Sequence, residues 1–280
     1  MKPGPGERPA LYAILGDPVA HSLSPAIHNA AFRAAGRHAR YVARRVSADE
    51  CGEIMRTLAM DGGGGNVTVP HKERVVRSLD RYTPVVAATG ACNTFWTQDG
   101  EVWGDNTDVA GFMGSWRSAV SFLTDTSPVL VLGAGGAARA VLHGLLRSAG
   151  ISLVLMWNRT RPRAGRLADE LDDDRVRLVA DWRATAPAVV VNTTSVGIRG
   201  RRAPIDLEAL ATPPRVVIDL VYGKDLTPLC RQAERLDIAC VDGRGMLVLQ
   251  AEASYARWFG RAPPRDVMGR ALEAACRDLE

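Results

Sequence analysis

The chain has 280 residues, long for one hydrophobic core and comfortable for two. Its 46% apolar and 24% charged residues form an ordinary globular mix and exclude bulk disorder. The formal charge is +4, and the 35 basic residues, all arginine except Lys2, Lys72 and Lys224, are spread along the chain, so no basic arm points to DNA or RNA.

The five cysteines, Cys51, Cys92, Cys230, Cys240 and Cys276, are scattered and odd in number, with no CxxC pair. That pattern favours reduced thiols over a disulfide framework or a zinc site, and no metal is expected. The first ten residues, MKPGPGERPA, lack an apolar signal region. No stretch reaches the ~18 apolar residues a membrane span needs. A cytoplasmic protein without a membrane partner is expected.

Residues 1–10 are rich in Pro and Gly and read as a loose tail. A buried strand follows at 11–15. The spacing of Ile27, Ala31 and Ala34 predicts a helix over 24–35. A second strand is predicted at 41–46, then a helix at 51–59 with Ile54, Met55 and Leu58 inward. The glycine run 62–65 leads into a strand over 66–69, and Pro70-His71 read as the opening of another helix. A connecting helix is predicted over 109–122. A second series then runs strand 128–132, turn 133–136, helix 137–148, strand 153–157 and helix 162–171. Further strands fall at 189–191, 216–220 and 238–241, with a helix over 225–235, and 245–280 is helical. Repeated strand–helix units predict an α/β protein whose second half is a doubly wound parallel sheet.

Gly133-Ala134-Gly135-Gly136-Ala137-Ala138 fits the pattern G-x-G-x-x-A between a strand and a helix. Gly133 permits the tight turn, Gly135 lets a pyrophosphate approach the backbone, and Ala138 allows close packing. The helix start then offers free N–H groups to phosphates. NAD sites place Asp or Glu at the end of the next strand. Here that place holds Asn158-Arg159-Thr160, with no acid until Asp169. A guanidinium pairs with a 2′-phosphate that a carboxylate would repel, so Arg159, with Arg163 four residues on, indicates NADP(H). The alternative is a pair of solvated arginines in an arginine-rich chain.

Four polar clusters mark the first half: Ser22-Leu23-Ser24-Pro25, Asn66 to Lys72, Asn93-Thr94 and Asn106-Thr107-Asp108. Their hydroxyls, amides, ammonium and carboxylate suit a small polyhydroxylated acid. Taken singly, Ser24 also reads as a helix cap before Pro25, and Asn93 and Asn106 as turn residues.

Taken together, the chain resembles the shikimate dehydrogenase family over almost its full length. The resemblance rests on nine ordered stretches: YAILGDPVAHSLSP, NVTVPHK, GACNT, GDNTD, GAGGAA, NRT, NTTSVG, DLVY and GRGMLVLQ. It implies a substrate domain over 1–107, completed by C-terminal helices over 244–280, and a Rossmann-like NADP domain over 108–243. It implies reversible NADPH-dependent reduction of 3-dehydroshikimate to shikimate in aromatic amino acid biosynthesis, by a monomer or homodimer. Lys72 and Asp108 are then the catalytic pair. Ser22 and Ser24 bind the substrate carboxylate, and Thr68, Asn93, Tyr222 and Gln250 are further contacts, with Asn66 and Thr107 lining the same pocket. Asn192, Thr193, Val221 and Gly243 form the nicotinamide-side wall.

Lys224 stands where relatives often have proline, Ile198 in Gly197-Ile-Arg-Gly200 where methionine is frequent, and Val109 where glycine or alanine is common. These departures bear on loop shape and on the exact substrate more than on the reaction, and remove no chemical group. In the reductive direction an ammonium at position 72 can stabilise the developing oxyanion and donate the proton, held by Asp108. Which of the two accepts a proton in oxidation stays open. The rival substrates are quinate and aminoshikimate; quinate-using relatives often carry threonine at the second serine, so Ser24 favours shikimate. A non-catalytic ligand-sensing module on this fold is the alternative from another class, and it would be expected to lose the lysine or the glycine loop.

Overall fold

The computed structural model describes residues 8–198, 200, 202–223 and 225–277. Most of the tail expected over 1–10 lies outside them, as do Arg199 and Lys224. The chain divides into two compact units, Met1–Gly111 with Leu247–Glu280, and Phe112–Met246. From sequence the divides are expected at 107/108 and 243/244.

The first unit begins with β1 (Ala10–Gly16), α1 (Ser24–Ala34), β2 (Ala39–Arg45), α2 (Cys51–Met60) and β3 (Gly64–Val67). After a 3-10 turn at Arg74–Ser78 come β4 (Arg81–Tyr82), α3 (Pro84–Thr89), β5 (Thr94–Gln98) and β6 (Glu101–Asp105). The six strands form one sheet in the order β2-β1-β3-β5-β6-β4. β1 lies parallel to β2 and β3, whereas β5 runs antiparallel to β3 and β6. The β5–β6 hairpin turns at Asp99-Gly100, both at positive φ, the backbone that a tight two-residue turn demands.

Three local expectations change here. α1 buries Ser24, Ile27, His28, Ala31 and Phe32, whereas Ala34 is exposed. The buried stripe advances by three and four from Ser24 and leaves Ala34 to one side. No helix opens at Pro70-His71; the segment is a turn, closed by His71 N–H to Thr68 O at 2.9 Å, and only the 3-10 turn follows. β3 starts inside the glycine run because a side chain has no room there: a Cβ on Gly64 would stand 2.7 Å from Phe95 O.

α4 (Asp108–Ala119) leads into the second unit. There follow β7 (Val129–Leu132), α5 (Gly136–Leu146), β8 (Val154–Trp157), α6 (Arg161–Leu171), β9 (Val176–Leu178), β10 (Val189–Asn192), β11 (Val216–Asp219), α7 (Pro228–Arg235) and β12 (Ala239–Val241). The sheet is parallel throughout, in the order β12-β11-β10-β7-β8-β9. This is the doubly wound arrangement, with its switch point between β7 and β10. Both faces are covered, so the strands are apolar on both sides. Val129, Val131, Val189, Val191, Val216 and Ile218 face one core with α4, α5 and α6. Leu130, Leu132, Val190 and Val217 face the other, with Leu229 and Ala233 of α7.

α7 starts at Pro228, not Asp225. The Thr227 hydroxyl caps it by accepting from Cys230 N–H at 3.1 Å, and proline fits the first turn. The expectation of reduced thiols fails for one pair: Cys230 of α7 is joined to Cys240 of β12. The turn between helix and strand brings their Cα atoms to 5.6 Å, within bonding range. Cys51, Cys92 and Cys276 are buried thiols. The chain ends in α8 (Gly243–Phe259), which returns to the first unit, and α9 (Val267–Arg277), which packs on α1. No helix among the described residues is long and apolar enough to cross a membrane.

Candidate active site

In the first unit the polar clusters meet at the ends of β3 and β6. Backbone bonds bring them there: Cys92 N–H donates to Lys72 O at 2.8 Å, Val67 N–H to Asn93 O at 2.9 Å, and Asn93 N–H to Asp105 O at 3.0 Å. Lys72, Asn93 and Asp108 are thereby held as neighbours although 36 positions separate the first from the last. Lys72 Nζ donates to Asp108 Oδ2 at 2.5 Å, with side-chain exposures of 13% and 6%. Asn93 Nδ2 donates to Asp108 Oδ1 at 2.8 Å and to Gln250 Oε1 at 3.3 Å. Asn93 Oδ1 accepts from Thr107 N–H at 2.7 Å and lies 3.1 Å from its hydroxyl.

Asn66 lies behind this group. Its Nδ2 donates to Asn93 O at 3.1 Å and to Ser254 Oγ at 2.9 Å, and its Oδ1 accepts from the Tyr41 hydroxyl at 2.7 Å. Ser254 Oγ is also 3.0 Å from Thr107 Oγ1. Asn66, Asn93, Thr107, Asp108, Gln250 and Ser254 are all buried. Burying so many polar groups is tolerable because each is hydrogen-bonded. Gln250 keeps one N–H beyond its bond to Leu247 O, and Lys72 keeps two N–H groups beyond Asp108.

Ser22 and Ser24 sit at the start of α1. Ser22 Oγ accepts from Ser24 N–H at 3.3 Å. Ser24 is buried but caps nothing with its side chain, so the helix-cap alternative fails. Thr68 is half-buried beside Gly16, on the turn before Lys72. Among the expected substrate contacts Tyr222 differs, since it lies in the second unit in the loop after β11. There it lines a cavity of about 250 Å³ with Gly197, Ile198, Val221, Thr227 and Pro228.

In the second unit the glycine loop lies at the switch point of the sheet. Gly133 has φ of 115°, and a Cβ there would strike the Thr193 hydroxyl, so both conformation and space require glycine. Ala134 is buried after β7, and α5 begins at Gly136. The first N–H groups of that helix, those of Gly136, Ala137 and Ala138, have no acceptor within it. The Arg163 guanidinium lies over Gly135, with Nη2 3.4 Å from where a Cβ would stand. Arg159 is exposed at the end of β8. Asn158 Nδ2 donates to Thr160 O at 2.8 Å and shapes that turn. Amides at the start of α5 without an acceptor in the helix, with the Arg163 guanidinium over Gly135, fit the phosphates of an anionic dinucleotide.

The four residues expected at the nicotinamide side also lie in this unit. Thr193 Oγ1 donates to Leu132 O at 2.7 Å, and Gly243 N–H to Val221 O at 3.0 Å. Asn192 and Val221 both bond to Asp219, which is itself buried. Tyr41, Ser254 and Asp219 were not singled out from sequence. Ser254 stands four residues after Gln250 on one helix face, a spacing that could have flagged it. Asp219 closes the apolar run Val216-Val217-Ile218, where a buried acid is a signal in its own right.

Comparison with known proteins identifies the family. Residues 14–95 match the shikimate dehydrogenase substrate binding domain, residues 118–243 the shikimate / quinate 5-dehydrogenase family, and residues 243–273 the shikimate 5′-dehydrogenase C-terminal domain. A shikimate dehydrogenase (NADP(+)) of Azorhizobium caulinodans is 40% identical over 273 residues, 95% of this chain and 94% of the relative. The crystal structure of a Thermus thermophilus shikimate 5-dehydrogenase in complex with NADP(H) and shikimate superposes with a TM-score of 0.83 at 34% identity, covering 95% of this chain and 99% of that one. A 5-ketofructose reductase of Gluconobacter sp. strain CHM43 also superposes, with a TM-score of 0.80 at 28% identity, covering 96% of this chain and all of the other, so this fold carries more than one substrate. The identity and coverage settle the family: this chain belongs to the shikimate dehydrogenases.

Proposed function

We propose that the protein catalyses the reversible NADPH-dependent reduction of 3-dehydroshikimate to shikimate. The observation that carries this is the buried Lys72–Asp108 pair, held by Asn93 at the centre of the polar network of the first unit. The first unit takes the substrate and the second the dinucleotide. Ser22 and Ser24 receive the carboxylate, and Thr68 and Gln250 face ring hydroxyls. Glycines 133, 135 and 136, with Ala134 and Ala137, cradle the pyrophosphate, and Asn158, Arg159, Thr160 and Arg163 select the 2′-phosphate. The partner is a small polyhydroxylated acid, with no nucleic acid or membrane, and the enzyme is a monomer or homodimer.

NADPH, when bound, supplies the hydride that adds to the keto carbon. The carbonyl oxygen then gains negative charge and needs a proton. Lys72 has two N–H groups beyond its bond to Asp108, so its ammonium both stabilises that oxygen and protonates it. Asp108 fixes the ammonium through one oxygen and is fixed by Asn93 through the other. Pre-set geometry of this kind lowers the barrier without reorganisation during the step.

The test is oxidation of shikimate, quinate and aminoshikimate with NADP⁺, side by side. Shikimate should be used far more efficiently than the other two. Comparable efficiency with quinate would move the assignment to a paralogous activity, and no NADP⁺ reduction with any of them would overturn it.

A further inference from the structure

Asp219 is 1% exposed at the C-terminal end of β11. Its Oδ1 accepts from Asn192 Nδ2 at 2.7 Å and from Val221 N–H at 3.1 Å. Its Oδ2 accepts from the Thr227 hydroxyl at 2.6 Å. Asn192 in turn accepts through Oδ1 from Thr194 N–H at 3.0 Å and from its hydroxyl at 2.7 Å. Val221 O accepts from Gly243 N–H, and Thr193, the residue between Asn192 and Thr194, touches the glycine loop through Leu132 O.

One carboxylate therefore ties together the loops that follow β10 and β11, reaches the start of α8 through Val221, and caps the start of α7 through Thr227. No ion pair accompanies it among the described residues, and burial, the largest influence, pushes the Asp219 carboxyl above its usual range, with Asp242 adding to the rise and the three bonds opposing it. A buried acid without a cation is costly. Its gain is order in the loops it bonds.

We propose, on the NADPH assignment above, that Asp219 is the positioning residue for the nicotinamide side of the cofactor site. Asn192 and Val221 bond it directly, Gly243 hangs from it through Val221, and Thr193 is the chain neighbour of Asn192. Among the described residues it bonds Asn192, Val221 and Thr227 and none that would bind a phosphate, so it acts through the loops.

The test uses equilibrium binding of two probes, NADPH and 2′,5′-ADP, which lacks the nicotinamide half. In Asp219→Asn one acceptor becomes a donor facing donors. NADPH should bind about 10-fold or more weakly, the scale of a lost bond to a charged group. Binding of 2′,5′-ADP should change less than about 2-fold, as expected for an independent contact. Thr227→Val, isosteric and without the hydroxyl, should show the same split more mildly, and Thr227→Ser should restore it. Thermal melts report folding, and if Asp219→Asn does not fold, the Thr227 pair decides.

Equal weakening of both probes would mean general damage to the unit and would overturn the positioning role, as would unchanged NADPH binding in a folded variant. A wild-type protein that binds 2′,5′-ADP and NADPH equally tightly would also overturn it, since no nicotinamide contact would exist to position. A wild type that binds neither would remove the NADPH assignment itself.

Discussion

Asn93 donates from Nδ2 to Asp108 Oδ1 at 2.8 Å, while Lys72 occupies the other carboxylate oxygen at 2.5 Å. Asn93 also donates to Gln250, and its own oxygen accepts from Thr107. Both amide hydrogens of Asn93 are thus engaged within the protein. Its part in the proposed reaction is to fix Asp108, which in turn aims the ammonium.

Lys72 is the group whose loss should cost most. It is one of three lysines in a chain that otherwise uses arginine for positive charge. A primary amine releases a proton within a reachable pH range, whereas a guanidinium effectively does not. Lys72→Ala should lower turnover by roughly 10²–10⁴, with a much smaller loss of shikimate affinity, because the proposed carboxylate contacts, Ser22 and Ser24, remain. Lys72→Arg should also be poor. Turnover and shikimate binding, with folding checked by thermal melt, decide the matter. Near-normal turnover in the arginine variant would leave position 72 an electrostatic role only.

Arg159 should govern cofactor choice. It is exposed at the end of β8, where an acid would stand in an NAD site. Arg159→Ala should raise the KM for NADPH by about 10- to 150-fold, from the loss of bonds to a charged phosphate. The KM for NADH should barely move. An unchanged preference between the two cofactors would show that Arg159 is a solvated surface charge.

The second sheet was legible in sequence because strands buried on both faces are continuous apolar runs. Val129-Leu130-Val131-Leu132 before a glycine turn admits few other structures. The polar network was legible only in part. Lys72 and Asp108 belong to recognisable motifs, but the groups that hold them reach across the chain. Asn66 bonds Ser254 at a separation of 188 residues, and Tyr41 bonds Asn66 at 25. No local pattern encodes such pairs. The same holds for Cys230 and Cys240, whose meeting depends on how α7 turns into β12. The helix read at Pro70-His71 failed for the opposite reason: a proline after a strand marks a helix start or a turn equally well.

Tyr41 gives a direct measure of that network. Its hydroxyl is a donor to Asn66 Oδ1, and its ring stacks on His28. Tyr41→Phe keeps the ring and removes the donor, leaving a buried amide oxygen with a lost partner. Unfolding in urea should show a loss of about 1–3 kcal/mol. A change below about 0.5 kcal/mol, the range of an ordinary surface substitution, would mean that Asn66 does not depend on Tyr41.

His28 sets an acid limit on stability. It is fully buried, stacked on Tyr41 at 4.5 Å, and neither ring nitrogen has a hydrogen-bond partner among the described residues. Burial pushes its pKa down to about 3 from 6.5. The folded protein therefore keeps His28 neutral, while the unfolded chain protonates it below about pH 6.5. Between those two values the unfolded state binds more protons, so stability rises with pH. The contribution is fully present above pH 6.5 and is lost as pH falls toward 3, at up to about 1.4 kcal/mol per unit. Carboxylates with ordinary values enter at the lower end of this window, and Asp219 and Glu252, which burial raises, act in the opposite sense, so the informative range is pH 7 to 5. Across it His28 should account for about 2 kcal/mol of lost stability. His28→Phe suits the surrounding rings of Phe32, Tyr41 and Trp258 and carries no titrating group. Its unfolding free energy should fall clearly less over the same range than that of the wild type, the remaining fall coming from groups such as His143, which burial also lowers. Parallel declines in the two proteins would show that His28 is not the group that senses acid.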